Sequence, residues 1–172
     1  QIIQSGLKVK FVDIDINSLN IDLKDLEKKI TKKTKALMLV HALGNCVEMD
    51  KLTRICKKNK LILIEDACEA LGSRFKNKQL GTFGEFSSFS FYYSHHITSG
   101  EGGLITCKTH EDYKILLSLR SHGWSREIDK IKNKKNFKFN SNFKFINLGY
   151  NFRITDIQSA LLLKQIKNID LF

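Results

Sequence analysis

The sequence predicts an α/β fold assembled from parallel βαβ units. Two apolar runs, "KALMLVHAL" (35–43) and "LILIEDA" (61–67), suit strands buried on both faces. Amphipathic segments, "NIDLKDLEKKI" and "MDKLTRICKKNK", alternate with them. Strand and helix alternating at this spacing imply parallel pairing with helical crossovers.

In chain order, "LKVKFVDI" (7–14) alternates and then turns apolar, which predicts a first strand. Asn20 or Asp22 can cap a helix that carries Leu23, Leu26 and Ile30 on one face. The strand from Lys35 ends at Gly44, and the next helix leads into the strand Leu61–Ala67. After Gly72, "SRFKNKQLGTFG" is turn-rich, "EFSSFSFYY" is strand-like, and "GGLITC" is a short strand after a glycine bend. "HEDYKILLSLRSHG" is a helix, followed by a Lys/Asn-rich loop to about Asn147. The closing helix, "TDIQSALLLKQIKNI", offers Thr155 as cap and Gln158 at the capping-box position.

Composition narrows the function classes. The chain has 172 residues and a net charge of +11. The charge is Lys-rich, scattered over several elements as in "KDLEKKITKKTK" and "RICKKNK", and interrupted by acids, which describes solvated faces rather than a nucleic-acid surface. Only "KIKNKKNFKFNSNFKF" interleaves Lys with Phe in the manner of a backbone-binding surface. Cys46, Cys56, Cys68 and Cys107 form no CxxC pair, so the expectation is reduced cysteines, no metal site and a cytoplasmic setting. No apolar run approaches the roughly 18–20 residues of a membrane span, and the chain opens at "QIIQSG" without Met. The reading is a soluble protein with no membrane or nucleic-acid partner, and a piece of something longer.

Ligands of open α/β sheets sit at the carboxyl ends of the strands. The polar groups there are His41–Asn45, Asp66–Glu69 and Ser94–Glu101, three segments that can converge on one pocket. Glu65 and Asp66 end an apolar strand, where a carboxylate is costly unless it meets a positive partner. Asp66 can cap a following helix or pair with a protonated ring nitrogen; Glu69, one helical turn on, can face the same ligand. "SHHITSGEGG" is neither a dinucleotide fingerprint nor a Walker loop. Its two histidines, if extended, point to opposite faces and make a poor chelating pair. Arg120, Arg126 and Arg153 can hold phosphate or carboxylate, or serve ordinary loops.

Four stretches taken together, "FVDIDINSLNID", "LIEDACEALGSRFKNKQLGTFGEFSSFSF", "ITSGEGG" and "LGYNFRITDIQSA", resemble the vitamin B6-dependent sugar-nucleotide aminotransferases of the DegT/DnrJ/StrS type. The resemblance covers nearly the whole chain. It implies a fold type I, aspartate aminotransferase-like large domain with a mixed, mostly parallel sheet flanked by helices. Residues 1–172 would be the central part of that domain, without its N-terminal segment and without the C-terminal small domain. The resemblance further implies pyridoxal phosphate or pyridoxamine phosphate as cofactor and a homodimer with a shared active site. Asp66 would hold the pyridine nitrogen, Glu69 would stand near the ring hydroxyl where the family usually has Gln, and Ser90 would contact the cofactor phosphate. Asn151 would reach the phosphate bound by the partner subunit. Arg153 and His122 are the candidate substrate-binding residues; His122 can approach the sugar or simply hold its loop.

The departure that matters is His95, at the position of the lysine that anchors the cofactor in the aminotransferases. Imidazole forms no stable Schiff base but moves protons near neutral pH. This resembles the 3-dehydratase branch of the family, which implies loss of the 3-hydroxyl from a nucleotide-linked 4-keto-6-deoxyhexose, with GDP-4-keto-6-deoxymannose as substrate. His95 would be acid and base, and L-glutamate would restore the amine form of the cofactor. An iron–sulfur-dependent branch has clustered cysteines after the arginine near Arg120; "RSHGWSREIDKIKNKKNF" has none. His96 reads as a neighbour, and His41 as either pocket wall or packing. The alternatives are an ordinary nucleotide-sugar aminotransferase and a catalytically inactive fragment or basic binding module.

Overall fold

The computed structural model describes residues 1–126, 128 and 143–169. Most of the Lys/Asn-rich loop and most of the Lys–Phe segment lie outside the described residues.

Asp22 caps helix α1 (Leu23–Lys29) by accepting from the amides of Lys24 and Asp25. Asn20, the other candidate, is buried instead and ties the carbonyls of Ser18 and Cys46 together. Strand β1 (Ala36–Val40) leads through a short 3-10 turn, Ala42–Gly44, into helix α2 (Met49–Asn59) and then strand β2 (Ile62–Asp66). Lys60, in the left-handed conformation, ends α2 and caps the carbonyls of Cys56 and Lys57. A small hairpin, β3 (Arg74–Phe75) and β4 (Lys78–Gln79), precedes β5 (Phe86–Ser90) and β6 (Gly103–Cys107). Helix α3 (His110–Arg120) is capped by Thr109. Helix α4 (Asp156–Ile166) has the Thr155–Gln158 capping box that its sequence predicts.

The main sheet has the order β1-β2-β5-β6. The β1–β2 and β2–β5 pairs are parallel, and β5–β6 is antiparallel. The expected strand over 7–14 does not form. Only Ile14 bridges, to Ile21, because no other described strand lies alongside to complete a ladder. The strand expected to run to Tyr93 stops at Ser90, where the chain enters the turns that carry the two histidines.

One face of the sheet is packed against α2. Leu37, Leu39, Leu63 and Phe89 from the strands join Met49, Leu52, Ile55 and Cys56 in a single core. Leu52 is fully buried, so truncation to Ala would cost about 2–5 kcal/mol. The alternate positions of the same strands are more open: Met38, Val40 and Ile62 are about half exposed. This asymmetry of the pleat decides which polar side chains reach a ligand.

Candidate active site

Val40, Asp66 and Ser88 are successive partners across β1, β2 and β5, at the carboxyl ends of three parallel strands. Side chains two residues apart share a face, so Ser90 joins Ser88 and Asp66 on the open side of the sheet. Asp66 is half-buried. Its Oδ1 accepts from the Cys68 amide at 3.1 Å, an Asx-type turn that starts a run of turns instead of a helix. The helical-turn argument for Glu69 therefore fails. Glu69 is exposed and reaches the same end of the sheet by another route: its carboxylate accepts from the Leu43 amide at 2.6 Å, tying the loop after β1 to the loop after β2.

The Cys68 thiol lies against Ser88, 3.8 Å from its hydroxyl. Burial, and then the Asp66 carboxylate beside it, push this thiol up to about 11. It stays protonated and is a neutral neighbour of Asp66. Ser90 Oγ accepts from the Tyr92 amide at 3.2 Å, which fixes the first turn after β5.

The two histidines sit in turns, not on an extended strand. They still separate: His95 is half-buried and His96 exposed. The His95 amide donates to the Tyr92 carbonyl at 3.1 Å. Ile97, next but one, is 2% exposed and anchors the turn to the core. The carbonyl of Phe91 accepts from both the Ser99 amide and the Thr98 hydroxyl, closing the turn below His95.

"GYNFR" pairs with the end of α3. The His122 amide donates to the Tyr150 carbonyl at 2.7 Å, and the Phe152 amide to the Arg120 carbonyl at 2.9 Å. Ser121 and Asn151 form a bridge, so His122, Asn151 and Arg153 gather in one exposed cluster. Arg153 donates to Asn151 Oδ1 at 3.3 Å. Arg126 stacks over Trp124, its guanidinium carbon 5.5 Å from the ring centre. Among the described residues no hydrogen bond joins this cluster to Asp66, Ser90 or His95.

Glu65 is on the opposite face from Asp66, fully buried, and its side-chain partner is His41, also fully buried. His41 is therefore packing and does not line the ligand side of the sheet. The Glu65 carboxylate also accepts from the amides of Gly81, Phe83 and Gly84 at 2.6–2.9 Å. Burial raises its pKa, but the hydrogen bonds from His41, Gly84 and Gly81 outweigh that, and the net shift is downward.

Ser88 is not among the residues that the sequence motifs single out, although the period-two spacing within "FSSFS" places it on the face of Ser90. Gln165, whose side-chain amide pairs with the backbone of Thr98, had no such signal, because the two lie 67 residues apart.

The DegT/DnrJ/EryC1/StrS aminotransferase family model matches residues 1–172, the entire chain. The chain belongs to this family. The GDP-4-keto-6-deoxy-D-mannose 3-dehydratase of Escherichia coli O55:H7 is 45% identical to this family member over 174 residues, covering 98% of the chain and 45% of the relative. The structure of an E. coli GDP-4-keto-6-deoxy-D-mannose 3-dehydratase with bound hydrated PLP superposes with a TM-score of 0.91 at 43% identity, over 98% of this chain and 44% of that one. A GDP-4-keto-6-deoxymannose 3-dehydratase with a trapped PLP–glutamate geminal diamine gives the same TM-score and identity, over 98% of this chain and 45% of that one. These similarities establish the aminotransferase-like architecture, and the chain spans slightly less than half the length of these relatives.

The residues present fit the family's cofactor. Asp66 has one carboxylate oxygen on the Cys68 amide and stands half-buried beside the Cys68 thiol at the carboxyl end of β2, an acceptor group of the kind that a protonated ring nitrogen requires. The hydroxyls of Ser88 and Ser90 share that face at the carboxyl edge of the sheet.

Proposed function

We propose that this chain is the central part of the cofactor-binding large domain of a PLP-dependent 3-dehydratase. Its substrate is a nucleotide-linked 4-keto-6-deoxyhexose, with GDP-4-keto-6-deoxymannose the first choice because the relative with 45% identity carries that name. The reading is carried by His95, half-buried on the turn after β5, which by the family resemblance takes the place of the aminotransferases' anchoring lysine.

When bound, the cofactor supplies an electron sink. This chain's residues bind and orient it and handle protons. The Asp66 carboxylate would pair with the ring nitrogen and keep it protonated. Ser90 would hold the phosphate by hydroxyl donation, with Ser88 on the same face of β5. Glu69, already fixed by the Leu43 amide, stands near the ring hydroxyl. The His95 imidazole takes a proton from carbon and delivers one to the departing 3-hydroxyl. Because His95 makes no covalent link, the cofactor is held by noncovalent contacts alone, and L-glutamate is the amine source.

His122 and Arg153 bind the nucleotide sugar. Asn151, exposed beside them, reaches the cofactor phosphate held by the partner subunit of a homodimer. The free thiols suit a reducing cytoplasmic setting.

His95→Lys in the full-length enzyme is the deciding experiment. We expect loss of 3-dehydration and the absorbance of a covalently anchored cofactor. A wild-type enzyme that already anchors its cofactor covalently and transaminates with the 3-hydroxyl retained would sink the dehydratase reading in favour of a sugar aminotransferase.

A further inference from the structure

We propose that Gln165 is a positioning residue that sets the place of His95 through the backbone of Thr98. The inference rests on His95 being the proton-transfer group of the proposed dehydration. Gln165 lies in the last turn of α4, and its side-chain amide pairs with both backbone groups of one residue. Its Oε1 accepts from the Thr98 amide at 2.9 Å, and its Nε2 donates to the Thr98 carbonyl at 2.5 Å. The same Nε2 also donates to the Leu161 carbonyl at 3.1 Å, which holds the side chain against its own helix.

A second glutamine on that helix does related work. Gln158 Nε2 donates to the Glu101 carbonyl at 2.9 Å. The two glutamines are seven residues apart, nearly two helical turns, so they project from one side of α4. They grip the segment 98–101 at both ends. The Gln158 carbonyl oxygen also accepts from the Thr155 amide and hydroxyl in the capping box, so this grip is fixed at the start of the helix.

The turn that bears His95 depends on this grip. At its near end, the Phe91 amide donates to the Gly102 carbonyl, continuing the β5–β6 ladder. Between Tyr92 and Ile97, the backbone–backbone bond from the His95 amide to Tyr92 is local and does not tie the turn to the sheet. The far end is fixed by burial of Ile97, by the Ser99 amide on the Phe91 carbonyl and by Thr98, three residues from His95. Thr98 has both main-chain groups on Gln165 and its hydroxyl on Phe91. Removing the Gln165 amide frees both main-chain groups of Thr98 and lets the turn shift. A displacement of about 1 Å at a proton-transfer group can cost on the order of 100-fold in rate.

The test is Gln165→Met in the full-length holoenzyme, since Met keeps the volume and loses both hydrogen bonds. We expect kcat per bound cofactor to fall at least about 10-fold. The KM for the nucleotide sugar should stay within about 3-fold, cofactor content should be unchanged, and amide exchange at residues 98–101 should accelerate. Unchanged kcat per bound cofactor overturns the proposal, and so does a loss confined to cofactor content or to the unfolding midpoint. If the wild-type enzyme does not dehydrate, the functional reading is what fails. The exchange rates still decide the clamp: unaltered protection in the variant refutes it.

Discussion

Glu65 and His41 meet in a buried hydrogen bond of 2.9 Å, Oε2 to Nε2, on the side of the sheet away from Asp66. Together with three amides from the loop before β5, this pair ties β1, β2 and the entry to β5 behind the ligand face. Glu65→Ala leaves those amides and His41 without their acceptor. We expect a loss of about 3 kcal/mol or more, measured by denaturant unfolding of the full-length protein. The folded-state pKa of Glu65 is depressed, so its contribution is fully present above the ordinary carboxylate range. It is lost as pH falls through the folded-state value. The acid limb of stability should therefore flatten in the Ala variant.

Asp66→Asn keeps an oxygen for the Cys68 amide, so the fold should hold. In the proposed role of Asp66, the substitution would remove the counter-charge of a protonated cofactor ring nitrogen. We expect turnover per bound cofactor to fall by roughly 100-fold, with the unfolding midpoint little changed. Wild-type turnover in this variant would remove Asp66 from the site.

Cys56 and Cys68 should resist alkylation. Burial raises both thiols to about 11, aided at Cys56 by the Glu85 carboxylate and at Cys68 by Asp66. At pH 8 about one molecule in a thousand carries the thiolate. Iodoacetamide labelling of the folded, cofactor-free protein should be at least about a hundredfold slower at these two positions than after unfolding.

Gly123 marks a close crossing. Its φ is +87°, and a Cβ there would lie 1.6 Å from the Asn147 carbonyl oxygen. Gly123→Ala should cost more than about 2 kcal/mol and displace His122 next to it. Thermal unfolding reads the first effect, and a rise in KM for the nucleotide sugar reads the second.

Much of this molecule was legible in local sequence. The Thr155–Gln158 box, the Asp22 cap and the apolar runs of β1 and β2 are short-range patterns, and each forms as its residues dictate. Burial of the 7–14 segment was not legible. It alternates like a strand, yet Leu7 and Phe11 stay exposed, because a strand exists only when another lies beside it. Glu69 shows the same limit. Its place at the carboxyl end of the sheet comes from the Leu43 amide on another loop and not from a helical turn after Asp66.

The sequence by itself determined the family, the α/β architecture and the presence of His95, the residue on which the proposed chemistry rests. Tertiary structure decided which carboxylate faces which way. Glu65 and Asp66 are adjacent in sequence, but the pleat sends one into the core, where His41 and three amides offset its desolvation, and the other to the open face at the carboxyl ends of the strands. It also decided that Thr98 is gripped by Gln165 from 67 residues away, since long-range hydrogen bonds depend on how helices dock and leave no local pattern in the chain.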